Sequence, residues 1–279
     1  MAVVASAPES TELPAIAAAM GTSRKRQLLV LTLAVVLPYV AFQKRVLPHW
    51  LSRIIARVYF WPTLPLTLVK AHLTGNGHWS QVDDTLYVGA TPLVAREHVS
   101  ILRDLGVRGV INMQDEYEGP IAEYKQNDIE PLHLPTIDHL EPAVEDLERA
   151  VRFIAKHRED NHKVYVHCKA GHGRSAAVAL AWMDYKQLAH SGSEDEALRA
   201  LNAELLRKRR VRKTLFSQPN LREFARSLRT GEIKIAGPVT SSPAGVETAA
   251  TTKSILAGPD AVPVAETESR RRRHEQKSR

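Results

Sequence analysis

An α/β fold, with a central and mostly parallel sheet flanked by helices, is what the chain predicts, and three observations carry it. Short runs of branched apolar residues alternate with helical stretches between about residues 85 and 230, the order that builds parallel strands joined by crossover helices. One run of buried type, Lys163–His167, passes into a glycine-containing loop and then an apolar helix. The two ends of the chain lack the large apolar residues that offset ordering entropy. They divide the 279 residues into a disordered start (1–26), a membrane-anchoring segment (27–73), one catalytic domain (78–230) and a disordered basic tail (231–279).

The anchoring segment begins after Arg24, Lys25 and Arg26, with an apolar run from Leu28 to Phe42 that carries Pro38, followed by Lys44 and Arg45. The run is short for a spanning helix, which needs about 20 apolar residues. It starts late for a signal peptide and has no clean small-residue cleavage site after it. Glu9 and Glu12, with no Arg in the first twenty residues, speak against a matrix presequence. Trp50, Tyr59, Phe60 and Trp61 beside Arg53 and Arg57 suit an interfacial helix, which Pro62 and Pro65 are expected to end. The segment therefore reads as a membrane anchor, spanning or lying on the surface. The competing reading is a helix packed on the catalytic domain.

Within the domain, Thr85–Gly89 reads as a strand, and a helix from about Leu93 to Leu105 is stopped by Gly106. Val107–Met113 is a second strand and Glu130–Leu134 a third, with Asp138 just beyond it. Val144, Leu147, Val151 and Ile154 give Glu141–His157 a helical period. Lys163–His167 is the buried strand, and Ser175–Ala189, Glu194–Arg207 and Pro219–Leu228 are helices. The loop after Lys163–His167 thus falls at the carboxyl end of a central strand, where such sheets bind ligands.

That loop holds the only cysteine, so an internal disulfide and a resolving thiol are both excluded. Five residues, Lys169, Ala170, Gly171, His172 and Gly173, separate Cys168 from Arg174, and Ser175 follows. A turn of this length can aim successive backbone N–H groups at one centre, with Gly171 and Gly173 permitting unusual dihedrals and close approach. The following helix adds its positive end, and the planar fork of Arg174 can grip two phosphate oxygens. In such a field a thiol pKa falls to roughly 3.5–7.5, so Cys168 is expected to be a thiolate nucleophile, with Ser175 stabilising it as a leaving group. A loop with four intervening residues would have pointed to sulfur transfer instead.

His167-Cys168, five residues and Arg174-Ser175 together resemble the signature of the cysteine-dependent tyrosine and dual-specificity phosphatases. The segments Tyr59 to Leu64, Val88 to Leu93, Val107 to Ile111, Glu116-Tyr117-Glu118 and Val164 to Gly171 are similar to the mitochondrial phosphatidylglycerophosphatase group, over about residues 55 to 230. The resemblance implies removal of the terminal phosphate of phosphatidylglycerophosphate, a step towards cardiolipin, at the mitochondrial inner membrane. It departs from the group's pattern at His172, where an Arg is expected, in the strongly basic Lys208–Thr214, and in a late glutamine that aligns loosely with Gln218.

Asp138, in a turn between strand and helix and matching the group's aspartate, is the expected acid for the leaving alkoxide; Asp115 competes for that role. Glu116 or Glu118 is expected to orient Arg174 through an ion pair. Lys169 would favour polyanionic headgroups or point to solvent, and His167 would brace the loop. No metal or other cofactor is required. The +7 net charge is concentrated near Arg207 to Lys213 and in Arg270 to Arg273, runs that suit either an anionic membrane surface or a solvated helix face and tail, with no nucleic-acid module beside them. The expected partners are a membrane surface and a phospholipid or phosphoprotein substrate. A dual-specificity protein phosphatase and a phosphate-binding pseudophosphatase are the alternatives, and the endoplasmic reticulum membrane is the alternative address.

Overall fold

The computed structural model describes residues 12–73, 77–187 and 193–235. Helices α1 (Glu12–Gln43) and α2 (His49–Leu73) lead into a sheet of strands β1 (Trp79–Gln81), β2 (Leu86–Gly89), β3 (Val107–Gln114), β4 (Glu130–Thr136) and β5 (Lys163–His167). Between and after the strands come α3 (His98–Asp104), α4 (Ile121–Gln126), α5 (Val144–Glu159), α6 (Arg174–Lys186), α7 (Glu194–Lys208) and α8 (Pro219–Thr230).

Strand order is β1-β2-β5-β3-β4, parallel throughout except for the antiparallel edge strand β1. The alternation of side chains decides what each face buries. Leu86 and Val88, Ile111 and Met113, and Val164 and Val166 enter the larger core under α5, α6 and α8. Tyr87, Val110 and Tyr165 enter the smaller core, which α3 and α4 close with Val99, Leu102 and Tyr124. Helix α6 is buried from Arg174 to Tyr185, as its nearly all-round apolar sequence requires. Because Gly89 and Asn112 both pair with His167, and Gln114 with Thr136, the carboxyl ends of β2 to β5 open on one edge of the sheet. Three loops that are far apart in sequence meet there.

Several elements differ from the sequence reading. The expected helix from Leu93 to Leu105 is broken at Glu97, whose φ of 53° is left-handed, and His98 Nδ1 accepts the Leu93 N–H at 3.3 Å. Strand β1 and helix α4, too short to show a period, went unread. Pro62 and Pro65 do not end α2, which continues to Leu73 because its inner face, with Ile55, Ala56, Phe60 and Leu64, is buried. Tertiary burial outweighs the local cost of the prolines. Helix α1 starts at Glu12, so residues 12–26 are helical rather than disordered; an Ala-rich segment has high helix propensity. Residues 1–11 and the tail from 236, including Arg270 to Arg273, lie outside the described residues.

The stretch Arg24–Gln43 of α1 is long and apolar enough to cross a membrane, and nearly all of it is exposed. Helix α2 also exposes apolar side chains on its outer face, among them Trp50, Ile54, Val58 and Trp61.

Asp83, in the turn before β2, ties this turn to α6. Its carboxylate accepts the Trp182 indole N–H and Lys186 Nζ, each at 2.8 Å, and the Thr85 and Leu86 backbone N–H groups. Burial pushes the carboxyl up, but Lys186, Trp182 and Thr85 outweigh burial and hold it below the usual aspartate range. A depressed pKa stabilises the fold above the unfolded-state value of about 3.9 and loses that contribution as pH falls through the folded value. Asp83→Asn is therefore expected to cost about 2 kcal/mol in urea unfolding at pH 7. The gap to wild type should narrow as the acid range is entered.

Candidate active site

Cys168 leaves β5 at the open edge of the sheet, and its loop is held from outside by its carbonyl groups. Thr91 N–H donates to Lys169 O at 3.4 Å, Arg209 donates to Ala170 O at 3.0 Å and Gly171 O at 3.1 Å, and Arg212 N–H donates to His172 O at 2.9 Å. In a planar trans peptide the N–H points opposite to the C=O. The N–H groups of Ala170, Gly171, His172 and Gly173 are thereby turned the other way, towards the hollow over Cys168, and make a nest for an anion. Gly171 is required twice. Its φ is +75°, and a Cβ there would lie 2.6 Å from the Gly89 backbone and 2.7 Å from the Arg209 guanidinium. Gly173, expected to share that role, has a φ of −127°, and a Cβ there would meet Arg212 only at an ordinary 3.5 Å.

Arg174, at the first turn of α6, has a side chain only 2% exposed. Its two terminal nitrogens grip Glu116 at 2.8 and 2.7 Å, a bidentate pair with a carboxylate only 1% exposed. Nη1 also donates to Thr136 O at 2.7 Å and Met113 O at 3.3 Å, and Nη2 to Asp138 Oδ1 at 2.9 Å. Of the two glutamates read from sequence, Glu116 makes this pair, whereas Glu118 is exposed to solvent.

Ser175 Oγ donates to Cys168 Sγ at 3.3 Å. Burial pushes the thiol pKa up, while Arg174 and the hydroxyl and N–H of Ser175 pull it further down, so it lies below its ordinary value. Burial likewise pushes Asp138 up, and Arg174, His139 and Lys169 pull it below the carboxylate range. Asp138 lines the Cys168 hollow. Asp115 is not among the lining residues; it is held by Arg53 at 3.3 Å and Arg57 at 3.5 Å from α2.

Lys169 neither points to solvent nor projects freely. It is buried, donates to Thr63 Oγ1 of α2 and lies 5.4 Å from the centroid of the Phe60 ring. His167 is buried beneath the loop with Nε2 3.4 Å from the Tyr124 hydroxyl, and burial with neighbouring positive charge drives its pKa to about 3. It is a neutral brace at physiological pH. His172 lines the hollow, and burial and nearby cations bring its pKa to about 4. Donors suited to a metal do not cluster among the described residues.

The residue that the sequence reading missed is Arg209. It sits in a basic run that reads as a solvated or membrane-facing patch, yet it is 2% exposed. Besides the two loop carbonyls it donates to Gly77 O at 3.1 Å and lies 3.4 Å from Ser80 Oγ. Burial lowers its pKa, whereas Tyr165 and Cys168 raise it. Only its place one turn beyond the inward-facing Leu205 hinted at burial. Replacing Arg209 with Met is expected to raise the Cys168 pKa, read from the pH dependence of alkylation, and to lower kcat/KM by about 10²-fold through loop displacement. Arg209→Lys should recover the alkylation profile better than turnover, since it keeps the charge but not the fork.

Comparison with known proteins finds a matching family model and similar relatives. The family model described as the dual specificity phosphatase catalytic domain matches residues 86–223. Phosphatidylglycerophosphatase and protein-tyrosine phosphatase 1 of Homo sapiens is 36% identical over 156 residues, covering 53% of this chain and 76% of the relative. Phosphatidylglycerophosphate phosphatase PTPMT2 of Arabidopsis thaliana is 40% identical over 131 residues, covering 46% of this chain and 57% of the relative. A crystal structure of PTPMT1 shares 30% identity over 55% of this chain and 98% of that one, with a TM-score of 0.46. The chain belongs to the dual-specificity phosphatases, in the phosphatidylglycerophosphatase and protein-tyrosine phosphatase group, and is a cysteine-based phosphoric monoester hydrolase.

Proposed function

We propose that the chain hydrolyses the phosphate monoester of a membrane phospholipid, phosphatidylglycerophosphate or a close analogue, at the surface of the membrane that holds α1. The observation that carries this reading is the make-up of the hollow over Cys168. Tyr39 and Gln43 of α1 and Leu66, Thr67 and Lys70 of α2 form one of its walls. The reacting phosphate therefore enters beside the helices that, among the described residues, carry most of the exposed large apolar side chains. Trp50 and Trp61 on α2 suit the headgroup layer. The family resemblance supports the mitochondrial inner membrane as the address.

In the reaction, Cys168 Sγ forms a bond to phosphorus as the P–O bond to the leaving alkoxide breaks. The nest of N–H groups and Arg174 hold the remaining phosphate oxygens. Asp138 gives its proton to the alkoxide oxygen. A phosphate oxygen arriving at Arg174 Nη2 removes the charge that holds the Asp138 carboxyl low, which favours the protonated form needed for this step. Water then attacks phosphorus, Asp138 takes its proton, and the S–P bond breaks to return the thiolate, stabilised by Ser175 Oγ.

Two measurements test the proposal on the full chain. Phosphate release from phosphatidylglycerophosphate in vesicles should exceed release from a phosphotyrosine peptide, and Cys168→Ser should abolish both; a clear preference for the peptide would make this a protein phosphatase. Activity should fall at low pH as the thiol is protonated and at high pH as the acid is lost. Asp138→Asn should lower kcat by about 10²–10³-fold and remove the alkaline limb alone. If Asp115→Asn did this instead, the acid assignment would be wrong.

A further inference from the structure

Glu116 sets the aim of Arg174, and two buried polar side chains, Thr91 and Gln114, stand behind Glu116 without lining the hollow themselves. Gln114, at the end of β3, brings its Nε2 to 3.4 Å from Glu116 Oε1, the oxygen that also accepts Arg174 Nη2 at 2.7 Å. Thr91, just beyond β2, donates from Oγ1 to Gln114 Oε1 at 2.7 Å, and the same hydroxyl lies 3.3 Å from Cys168 O. Its backbone N–H reaches Lys169 O at 3.4 Å. Thr91 therefore holds the start of the catalytic loop, and Gln114 carries that hold on to the carboxylate that grips Arg174.

The hydrogens in this chain run one way. As the carboxylate partner of Arg174, Glu116 can only accept. The Gln114 amide must then turn its NH2 group to Glu116 and its oxygen to Thr91, which commits the Thr91 hydrogen to Gln114. The backbone of Gln114 is pinned on both sides. Asn112 Oδ1 accepts its N–H at 3.0 Å, and His133 Nε2 of β4 lies 2.6 Å from its carbonyl oxygen. What is left free is the turn of the amide, and the Thr91 hydroxyl selects its face.

We infer that Thr91 and Gln114 are positioning residues for the phosphatase reaction, a relay that fixes the Arg174 fork relative to the Cys168 loop by orienting Glu116. The amide does this without adding a charge that would compete for Arg174. Without the Thr91 hydrogen, the amide can turn its oxygen towards Glu116, where two acceptors repel and the fork loses its aim. The loss falls on the transition state, in which charge builds on the oxygens that fork and loop hold together. The inference concerns the cysteine-phosphatase step and is the same for a lipid or a protein substrate.

The test compares full-length wild type, Thr91→Val, Thr91→Ser and Gln114→Glu on para-nitrophenyl phosphate, which needs only the Cys168 centre. Thr91→Val keeps the shape and removes the hydrogen, so kcat and kcat/KM should fall together by about tenfold with KM held. Thr91→Ser should restore most of that loss. An equal loss in Thr91→Ser overturns the inference, because packing of the methyl group would then be what matters. In Gln114→Glu a second carboxylate is buried beside Glu116, so its pKa is raised and only its protonated form can replace the amide donor. The charged and titratable groups facing it are Glu116, Arg174 beyond Glu116, and His133 on β4. Activity relative to wild type should be lowest at about pH 8 and recover about tenfold towards about pH 5. A ratio that stays flat with pH overturns the inference, as does wild-type kcat in Thr91→Val. The pH ratio decides the matter alone if Thr91→Val does not fold.

Discussion

A guanidinium taken out of water must be neutralised and have its N–H groups bonded, and the active edge of this protein is arranged around meeting that demand for Arg174. Glu116 supplies the charge, and the carbonyls of Met113 and Thr136 and the carboxylate of Asp138 take further hydrogens. These groups come from the ends of β3 and β4 and the loops beyond them, so one side chain draws three loops together at the foot of α6. Replacing such a pair by apolar residues is often neutral for stability, but removing one partner costs about 3–5 kcal/mol. Its value here is geometric: it sets where the fork faces relative to Cys168 Sγ.

A second layer of bonds ties the leading helices into this arrangement. Asp115, next to Glu116, is clasped by Arg53 and Arg57, and Tyr117 stacks on Phe60 with ring centroids 5.4 Å apart. Lys169, next to Cys168, reaches Thr63. The helix read as an anchor and the helix read as packed on the domain are the same helix. Its inner face belongs to the catalytic domain and its outer face is apolar and exposed. The exposed apolar face of α2 and the geometry of the loop are thus linked through one helix.

How much of this was legible in sequence depended on whether the signal was contiguous. The strand, loop and helix around Cys168 lie in one stretch, so chain order alone placed thiol, glycines, fork and hydroxyl. The parallel order of β2 to β5 followed from the alternation of elements. Glu116 and Glu118 could not be told apart, because which of two residues in a loop turns inward is decided by Arg174, 58 positions away. Arg209 was hidden inside a basic run, since its burial is set by carbonyls of another segment. That Lys169 turns to Thr63 rather than to solvent could not be read for the same reason, since the two lie 106 positions apart. Prolines in α2 gave a correct local cost and a wrong boundary, because burial against the domain was the larger effect.

The Asp138 carboxylate on Arg174 has a kinetic meaning. Anion entry there is an exchange of one oxyanion for another, not an addition to a vacant cation, so the net gain on binding any phosphate is smaller than the fork's contacts suggest. Inorganic phosphate, the last species to leave, meets the same competitor. With Asp138 placed to retake Nη2, the cradle holds any phosphate less tightly than an unpaired guanidinium would.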